Sequence, residues 1–145
     1  MFIREVLTIK GDCANFATEP DALAADAVKR MMDNDVGSLL VMHDGELVGF
    51  ITERDILRGL QARACSLAEI KVGALMEKEP VVAGMDDSVD YARDAMTKSR
   101  ISHLIVMDES KVVGVISFHD VARACLKEAN FENALLKRYI KNWPE

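Results

Sequence analysis

The sequence predicts an α+β fold made of two copies of one βαββα unit, packed sheet to sheet as a pseudo-twofold pair, with a helical extension at the C-terminus. Three observations support this prediction. An internal repeat aligns without a gap, apolar residues change their period in the same order within each copy, and half of the 145 residues are apolar. A chain of this length and composition can bury a core without disulfides or metals.

The internal repeat relates residues 36–58 to residues 101–123 at a constant offset of 65, since 101 − 36 = 65. Eight of the 23 aligned pairs are identical, whereas chance gives about one or two at ordinary residue frequencies. The identical pairs are Leu39/Leu104, Val41/Val106, Met42/Met107, Val48/Val113, Gly49/Gly114, Ile51/Ile116, Asp55/Asp120 and Arg58/Arg123. Duplication of one unit is the simplest explanation.

Each copy begins with a short extended segment, residues 16–18 or 81–83, followed by turn and capping residues. A helix is predicted next, because apolar residues recur there at helical spacing and form one face that points to the core. This face holds Leu23, Ala27, Val28, Met31 and Met32 in the first copy and Val89, Ala92 and Met96 in the second.

A hairpin and a second helix complete each copy. Residues 38–42 and 47–51 are apolar runs of strand length with turn residues between them, and residues 103–107 and 112–116 repeat this pattern. The second helix starts at Thr52 or Ser117. One face of each small sheet would stay apolar and exposed in a single unit, so the two sheets are predicted to pack together.

The predicted boundaries are residues 1–66 for the first copy, 67–127 for the second and 128–145 for the extension. An apolar stripe extends the last helix beyond the repeat, and it either wraps around the domain or forms a dimer contact. The stripe consists of Leu126, Phe131, Leu135, Tyr139, Ile140 and Trp143.

Composition excludes several classes of function. A formal net charge of −6 and the lack of a basic cluster disfavour nucleic acid, although one compact anion could still be held in a cleft. No apolar run reaches membrane-spanning length, and residues 1–10 lack the zones of a signal peptide, so we expect a cytoplasmic protein. Cys13, Cys65 and Cys125 are too far apart for a zinc site and odd in number, which disfavours a disulfide framework.

The segments 49–55 and 114–120 are the strongest candidates for chemistry. Each contains a hydroxyl residue, Thr52 or Ser117, and ends three residues later in Asp55 or Asp120, at the start of a helix. This spacing is that of a capping box. The same geometry suits a nucleotide, because a helix N-terminus attracts phosphate and a carboxylate accepts two ribose hydroxyls. Both interpretations remain open.

The order of elements and these paired segments resemble a tandem pair of cystathionine-β-synthase (CBS) domains, over almost the whole chain. Further matching features are Leu75-Met76, the run Arg100-Ile-Ser-His-Leu, and the segments Thr52-Glu-Arg-Asp55 and Glu128-Ala-Asn-Phe-Glu132, which are typical of stand-alone bacterial CBS pairs. The resemblance implies two clefts between the repeats that bind AMP, ADP, ATP, NAD or S-adenosylmethionine.

The resemblance also assigns roles to individual positions. Asp55 and Asp120 would hold ribose, with Thr52 and Ser117 beside them. Phe16, Thr18, Val81 and Ala83 would line an adenine slot, and Val36, Gly37, Ile101 and Ser102 would form its other wall. The candidate phosphate partners are Lys10, Arg54, His103 and His119. The family often has Ile-Gly where this chain has Phe118-His119, which either fills the second cleft or adds a pH-sensitive phosphate contact.

The leading functional hypothesis is a nucleotide-sensing regulatory module, expected to be a homodimer, that acts on an unidentified protein and needs no cofactor or metal. No nucleophile has a matched base near it in the sequence, so no catalytic residue is assigned. The alternative is a structural homodimer that recruits a partner without nucleotide. Nucleotide hydrolysis through His103 or His119 is the least favoured hypothesis.

Overall fold

A computed structural model describes residues 1–11, 15–63 and 66–141. Of these, the residues between 14 and 81 form one compact unit, and those in 1–13 and 82–145 form a second. We call them the first-repeat unit and the second-repeat unit. Predictions for Cys13, Cys65 and Trp143 fall outside the described residues. Among the helices of the described part, none is both long enough and apolar enough to cross a membrane.

A short helix, α1 (Ile3–Lys10), precedes both repeats along the chain. The first-repeat unit then contains β1 (Ala17–Thr18), α2 (Ala24–Asp33), β2 (Ser38–His43), β3 (Glu46–Thr52), α3 (Glu53–Arg63) and α4 (Val72–Leu75). Its sheet has the order β1-β2-β3, with β1 parallel to β2 and β2 antiparallel to β3. Helix α2 is therefore the crossover between two parallel strands.

The second-repeat unit has the same order of elements: β4 (Val82–Gly84), α5 (Val89–Ser99), β5 (His103–Asp108), β6 (Lys111–Ser117) and α6 (Phe118–Lys141). Its sheet again joins a parallel and an antiparallel pair, in the order β4-β5-β6. The predicted α+β class, with two three-stranded sheets and a C-terminal helix, is confirmed. Both second helices begin one residue after the hydroxyl residue that the sequence marks.

The two hairpins share even their irregularity. A register shift lies between Val41 and Met42 in the first and between Val106 and Met107 in the second, again 65 residues apart. The first hairpin turns at Asp44 and Gly45, which both have positive φ (50° and 79°). Two such residues form the turn whose twist matches that of the flanking strands, so the short loop predicted here is confirmed.

The core of the first-repeat unit lies between its sheet and its helices. The buried cluster consists of Ala27, Met31, Leu39, Val41, Ile51, Ile56 and Val72. Met32 and Leu23, which the sequence places on the core face of the helix, are 76 % and 37 % exposed, so these two predictions are wrong. Consecutive residues of a helix point about 100° apart, and Ala27 and Met31, one turn apart, occupy the face that meets the sheet.

The segments that precede the two repeats dock on opposite repeats. In the first-repeat unit, the segment before the second repeat bonds to the turn that leads into α2: Val72 N–H donates to Ala22 O (2.8 Å) and Gly73 N–H to Pro20 O (2.9 Å). In the second-repeat unit, α1 makes the equivalent bonds, from Ile3 N–H to Asp87 O (2.9 Å) and from Arg4 N–H to Met85 O (3.0 Å). Helix α1 therefore belongs to the second-repeat unit.

Gly49 provides room for a chain segment within its own unit. A Cβ atom at this position would lie 2.6 Å from Met76 Sδ and 2.9 Å from the carbonyl oxygen of Glu77. Next to it, Phe50 and Glu77 exchange two backbone hydrogen bonds of 2.9 and 2.8 Å. The close approach of this neighbouring segment explains why the position holds a glycine.

Candidate functional site

The junction between β3 and α3 holds the first candidate site. The Thr52 N–H donates to Asp55 Oδ2 (3.0 Å), the Thr52 hydroxyl donates to the same oxygen (3.1 Å), and the Asp55 N–H donates back to Thr52 Oγ1 (3.3 Å). The strand passes directly into the helix, and these bonds satisfy N–H groups that have no partner within the helix. Both side chains are half-buried.

The junction between β6 and α6 repeats this arrangement. The Ser117 N–H donates to Asp120 Oδ2 (2.8 Å), and the Asp120 N–H donates to Ser117 Oγ (3.1 Å). All hydrogen bonds that the described residues make to the two carboxylates go to Oδ2. Since a carboxylate has two acceptor oxygens, the capping role and the binding of a hydroxyl through Oδ1 are compatible.

Lys10 distinguishes the second junction from the first. Its ammonium lies 2.9 Å from Asp120 Oδ2 and donates to the carbonyl oxygen of Val115 at 2.6 Å. Both side chains are largely buried, with 24 % of Lys10 and 13 % of Asp120 exposed. Burial raises the pKa of the Asp120 carboxyl, but the hydrogen bond from the Ser117 N–H and the Lys10 ammonium outweigh it, so this pKa lies below its ordinary value.

The residues predicted to form the second wall of the adenine slot lie at equivalent places in the two units. The Glu53 N–H donates to the carbonyl oxygen of Gly37 (3.1 Å), and the Phe118 N–H donates to that of Ser102 (2.8 Å). Each wall is therefore hydrogen-bonded to the first residue of the helix that follows its hairpin, α3 or α6. Val36 and Ile101, which precede these two residues, are half-buried.

The predicted adenine-slot residues lie on or beside the short parallel strand of each sheet. Thr18 belongs to β1 and Ala83 to β4, while Phe16 and Val81 directly precede these strands. Phe16 packs against the core of the first-repeat unit. Ala83 is buried, and the other three are half-buried.

The other three candidate phosphate partners have different surroundings. His103 pairs with Ser117 in the sheet register, and its Nδ1 lies 3.1 Å from Ser102 Oγ. His119 is exposed, and its Nε2 lies 3.2 Å from Arg123 Nη2 one turn along α6. Because arginine only donates, Nε2 is the acceptor of this bond. Arg54 is exposed in the first turn of α3.

The structure brings Lys10, Ser117 and Asp120 together, with His103 on the adjacent strand. The sequence named all four, but it gave no helix to residues 1–10 and no pairing of Lys10 with Asp120. The signal for α1 was present in Ile3 and Val6, which are three residues apart and fully buried at 0 and 1 % exposure. The pairing itself had no local signal, because 110 residues separate the partners (120 − 10 = 110).

Comparison with known proteins agrees with this architecture. The CBS domain family model matches residues 15–62 and 72–127. This chain belongs to the CBS domain family. A relative from Arabidopsis thaliana, the mitochondrial CBS domain-containing protein CBSX3, is 35 % identical over 148 residues, which cover 96 % of this chain and 71 % of the relative.

Solved structures of CBS proteins superpose closely on this one. The CBS domain protein NE2398 has a TM-score of 0.82 at 28 % identity, covering 87 % of this chain and 98 % of that one. The CBS domain protein PAE2072 from Pyrobaculum aerophilum, solved as a complex with AMP, has a TM-score of 0.75 at 24 % identity and covers 88 % and 97 %. The second likeness concerns the fold alone. The resemblance seen in the sequence is confirmed.

Proposed function

We propose that this CBS pair is a regulatory module that binds an adenosine nucleotide and signals through a ligand-dependent change of conformation or of dimer. The observation that carries this proposal is the duplicated junction, in which a hydroxyl residue and a carboxylate meet at a helix N-terminus and the carboxylate is bonded through Oδ2. Oδ1 then accepts a ribose hydroxyl, and the helix N-terminus favours a phosphate.

The proposed roles follow the position of each residue. Asp55 and Asp120 accept ribose hydroxyls, and Thr52 and Ser117 lie beside them. The residues near the short parallel strands contact adenine on one side, and the wall residues contact it on the other: Phe16, Thr18, Val81 and Ala83, then Val36, Gly37, Ile101 and Ser102. AMP is the simplest ligand for this set, and ADP, ATP, NAD and S-adenosylmethionine share its adenosine.

Phosphate recognition is proposed to differ between the two junctions. At the Asp120 junction, Lys10 supplies a largely buried cation, and His103 lies on the neighbouring strand. At the Asp55 junction the candidate cation is Arg54, whose side chain is exposed. A buried cation interacts more strongly with an anion than an exposed one does, because water screens it less. We therefore expect a phosphorylated ligand to prefer the Asp120 junction.

The wider biological role also remains a proposal. We propose a non-catalytic homodimer that acts on another protein and works in the cytoplasm, where free adenine nucleotides occur and thiols stay reduced. Ligand binding would act by stabilising one of two conformational or dimeric states, since a ligand shifts an equilibrium only when it binds the two states with different affinities.

Calorimetric and thermal-shift titrations with AMP, ATP, NAD and S-adenosylmethionine test the proposal. Asp55→Asn and Asp120→Asn keep the shape and one acceptor oxygen but remove the charge, so each is expected to weaken binding at its own site about tenfold to a hundredfold. Asp90→Asn is the control, because it removes the charge of an exposed carboxylate on α5 that pairs with Arg93 at 2.9 Å. Binding that survives Asp55→Asn and Asp120→Asn together contradicts the proposal.

The second candidate function is a structural dimer that recruits a partner without nucleotide. The completeness of the two capping boxes favours it, because those bonds alone give both carboxylates a role. Freshly purified protein separates the two functions, since a retained adenine nucleotide adds absorbance near 260 nm and is identified by mass spectrometry. Protein without nucleotide that also binds none of the four ligands supports the structural function.

A further inference from the structure

The second half of α6 is not covered by the rest of the described chain. Every residue from 129 to 140 is exposed, and Phe131, Leu136 and Ile140 are 64, 58 and 70 % exposed. A helix of about a dozen residues is only marginally stable in water without packing of its apolar face. Packing of these exposed apolar side chains against a partner surface would stabilise this half of α6.

Two apolar rows run along α6. The first continues the face through which Val121 and Ala124 are buried, and it holds Phe131, Leu135 and Tyr139. The second, which we call the lateral seam, lies about 140° further round the helix. It consists of Leu126, Ala129, Asn133, Leu136 and Ile140. Its spacing of three, four, three and four residues is the a and d pattern of a coiled coil, with Leu126, Asn133 and Ile140 at a.

The residues of the lateral seam fit a parallel pair of identical helices. A β-branched residue at a, here Ile140, and leucine at d, here Leu136, favour two parallel strands. Asn133 occupies an a position, where asparagine faces its own copy in a parallel pair and fixes register and number of strands. In an antiparallel pair it would instead face an apolar d residue.

The charges beside the lateral seam agree with the parallel arrangement. Glu132 is at g and Lys137 is at e, five residues later. In a parallel pair the g residue of one helix lies beside the following e residue of the other, so the twofold axis gives two attractive Glu132–Lys137 contacts between copies. Within one helix these residues do not face each other, because their spacing is neither three nor four.

We propose that the lateral seam joins two copies of this chain through a parallel two-helix coiled coil. The proposal identifies a surface for the homodimer in the proposed function, but it does not depend on the nucleotide sites. All tests are therefore made on the full chain without nucleotide, so that their failure leaves the ligand titrations unaffected.

Disulfide formation tests the parallel register. In a background with Cys13, Cys65 and Cys125 replaced by serine, Asn133→Cys is expected to oxidise to a covalent dimer, because residues at a face their own copies. Asn130→Cys is the matched control, since it exchanges the same residue type three positions away, at an e position that does not face its copy. Equal crosslinking of the two variants, or none in Asn133→Cys, overturns the parallel register.

Molar mass in solution tests the seam itself. Leu136→Asp is expected to weaken association at least about a hundredfold and to halve the molar mass measured by light scattering, because two leucines leave an apolar interface. Leu135→Asp is the control on the first apolar row and is expected to keep the mass of the unaltered chain. An unaltered chain that is monomeric, or a Leu136→Asp variant of unchanged mass, overturns the proposal.

A charge exchange tests the contact between copies. Glu132→Lys and Lys137→Glu are each expected to weaken the dimer about tenfold, since each replaces two attractions by two repulsions. The double variant exchanges both signs and is expected to restore the affinity. A helix-propensity effect would give no such restoration, so a double variant as weak as the singles excludes the Glu132–Lys137 contact and overturns the parallel pairing.

Discussion

The junctions at Asp55 and Asp120 have the same backbone and capping geometry but different electrostatic surroundings. Each carboxylate accepts the N–H of a hydroxyl residue three positions before it, at 3.0 Å and 2.8 Å. Only the Asp120 carboxylate has an ion pair among those found in the described residues, and its cation, Lys10, comes from α1. Duplication thus preserved the backbone and capping geometry of the junction, while the docking of α1 added a positive charge beside one of the two copies.

The comparison shows how a repeat protein acquires two unequal sites. The residues that shape each junction lie within the repeat and are copied with it. The segments that dock on each unit precede the repeats and differ, since α1 has eight residues and α4 has four. Only the longer segment carries a lysine at its C-terminal end against the junction.

The largest expected effect comes from loosening α1, whose docking produces the difference between the two junctions. Ile3 and Val72 hold equivalent places in the two docking segments, and each is 0 % exposed. We expect Ile3→Ala to lower the free energy of unfolding by about 2–5 kcal/mol through the cavity that it leaves, and Val72→Ala to cost less because fewer atoms are removed. Urea denaturation followed by circular dichroism measures both, with the exposed Thr8→Ala as control at about 0.5 kcal/mol or less.

The next effect concerns ligand charge. Lys10→Met keeps the aliphatic stem but removes the ammonium, so we expect AMP to bind about tenfold more weakly at the Asp120 site while adenosine, which has no phosphate, is affected much less. Calorimetry gives the dissociation constants of AMP and adenosine, and the change in their ratio measures the effect of the lysine on the phosphate. Lys98→Met, at an exposed position of α5, is the control. An equal loss for the two ligands would mean that Lys10 only positions Asp120.

The smallest expected effect is a pH dependence of stability that comes from the Asp120 junction. The folded-state pKa of Asp120 lies below its ordinary value, so its charged form stabilises the fold above the carboxyl range, near pH 4, and this contribution is lost as the pH falls through the folded pKa. The stability difference between the unaltered chain and Asp120→Asn is therefore expected to shrink on acidification. Lys10→Met should reduce this pH dependence. Chemical denaturation from pH 7 to pH 3 measures it, and a difference that grows in acid contradicts the assignment.

Much of the fold could be predicted from local patterns. The alternation of periods predicted the strands and helices, because burial of one face imposes a period of two on a strand and 3.6 on a helix. Met32 shows the limit of this approach. An apolar residue at the edge of the predicted face is exposed, since the width of the face is set by the sheet that the helix meets.

The candidate site was predictable in part for the same reason. Thr52, Asp55, Ser117 and Asp120 lie within single turns of chain, where spacing alone determines that they can bond. Their partners across the chain were not predictable. The pairing of Lys10 with Asp120 depends on where α1 docks, which is decided by the burial of Ile3 and Val6 against α5, β6 and α6 of the same unit, more than 70 residues along the chain.

The sequence by itself determined the duplication, the order of elements in each copy and the residues of the two junctions, because all of these depend on neighbours in the chain. The tertiary structure alone decided that the segments preceding the repeats dock on opposite repeats. It also decided that one carboxylate is held by a half-buried lysine. Contacts between distant segments depend on which surfaces bury each other, and a single sequence carries no local pattern for that choice.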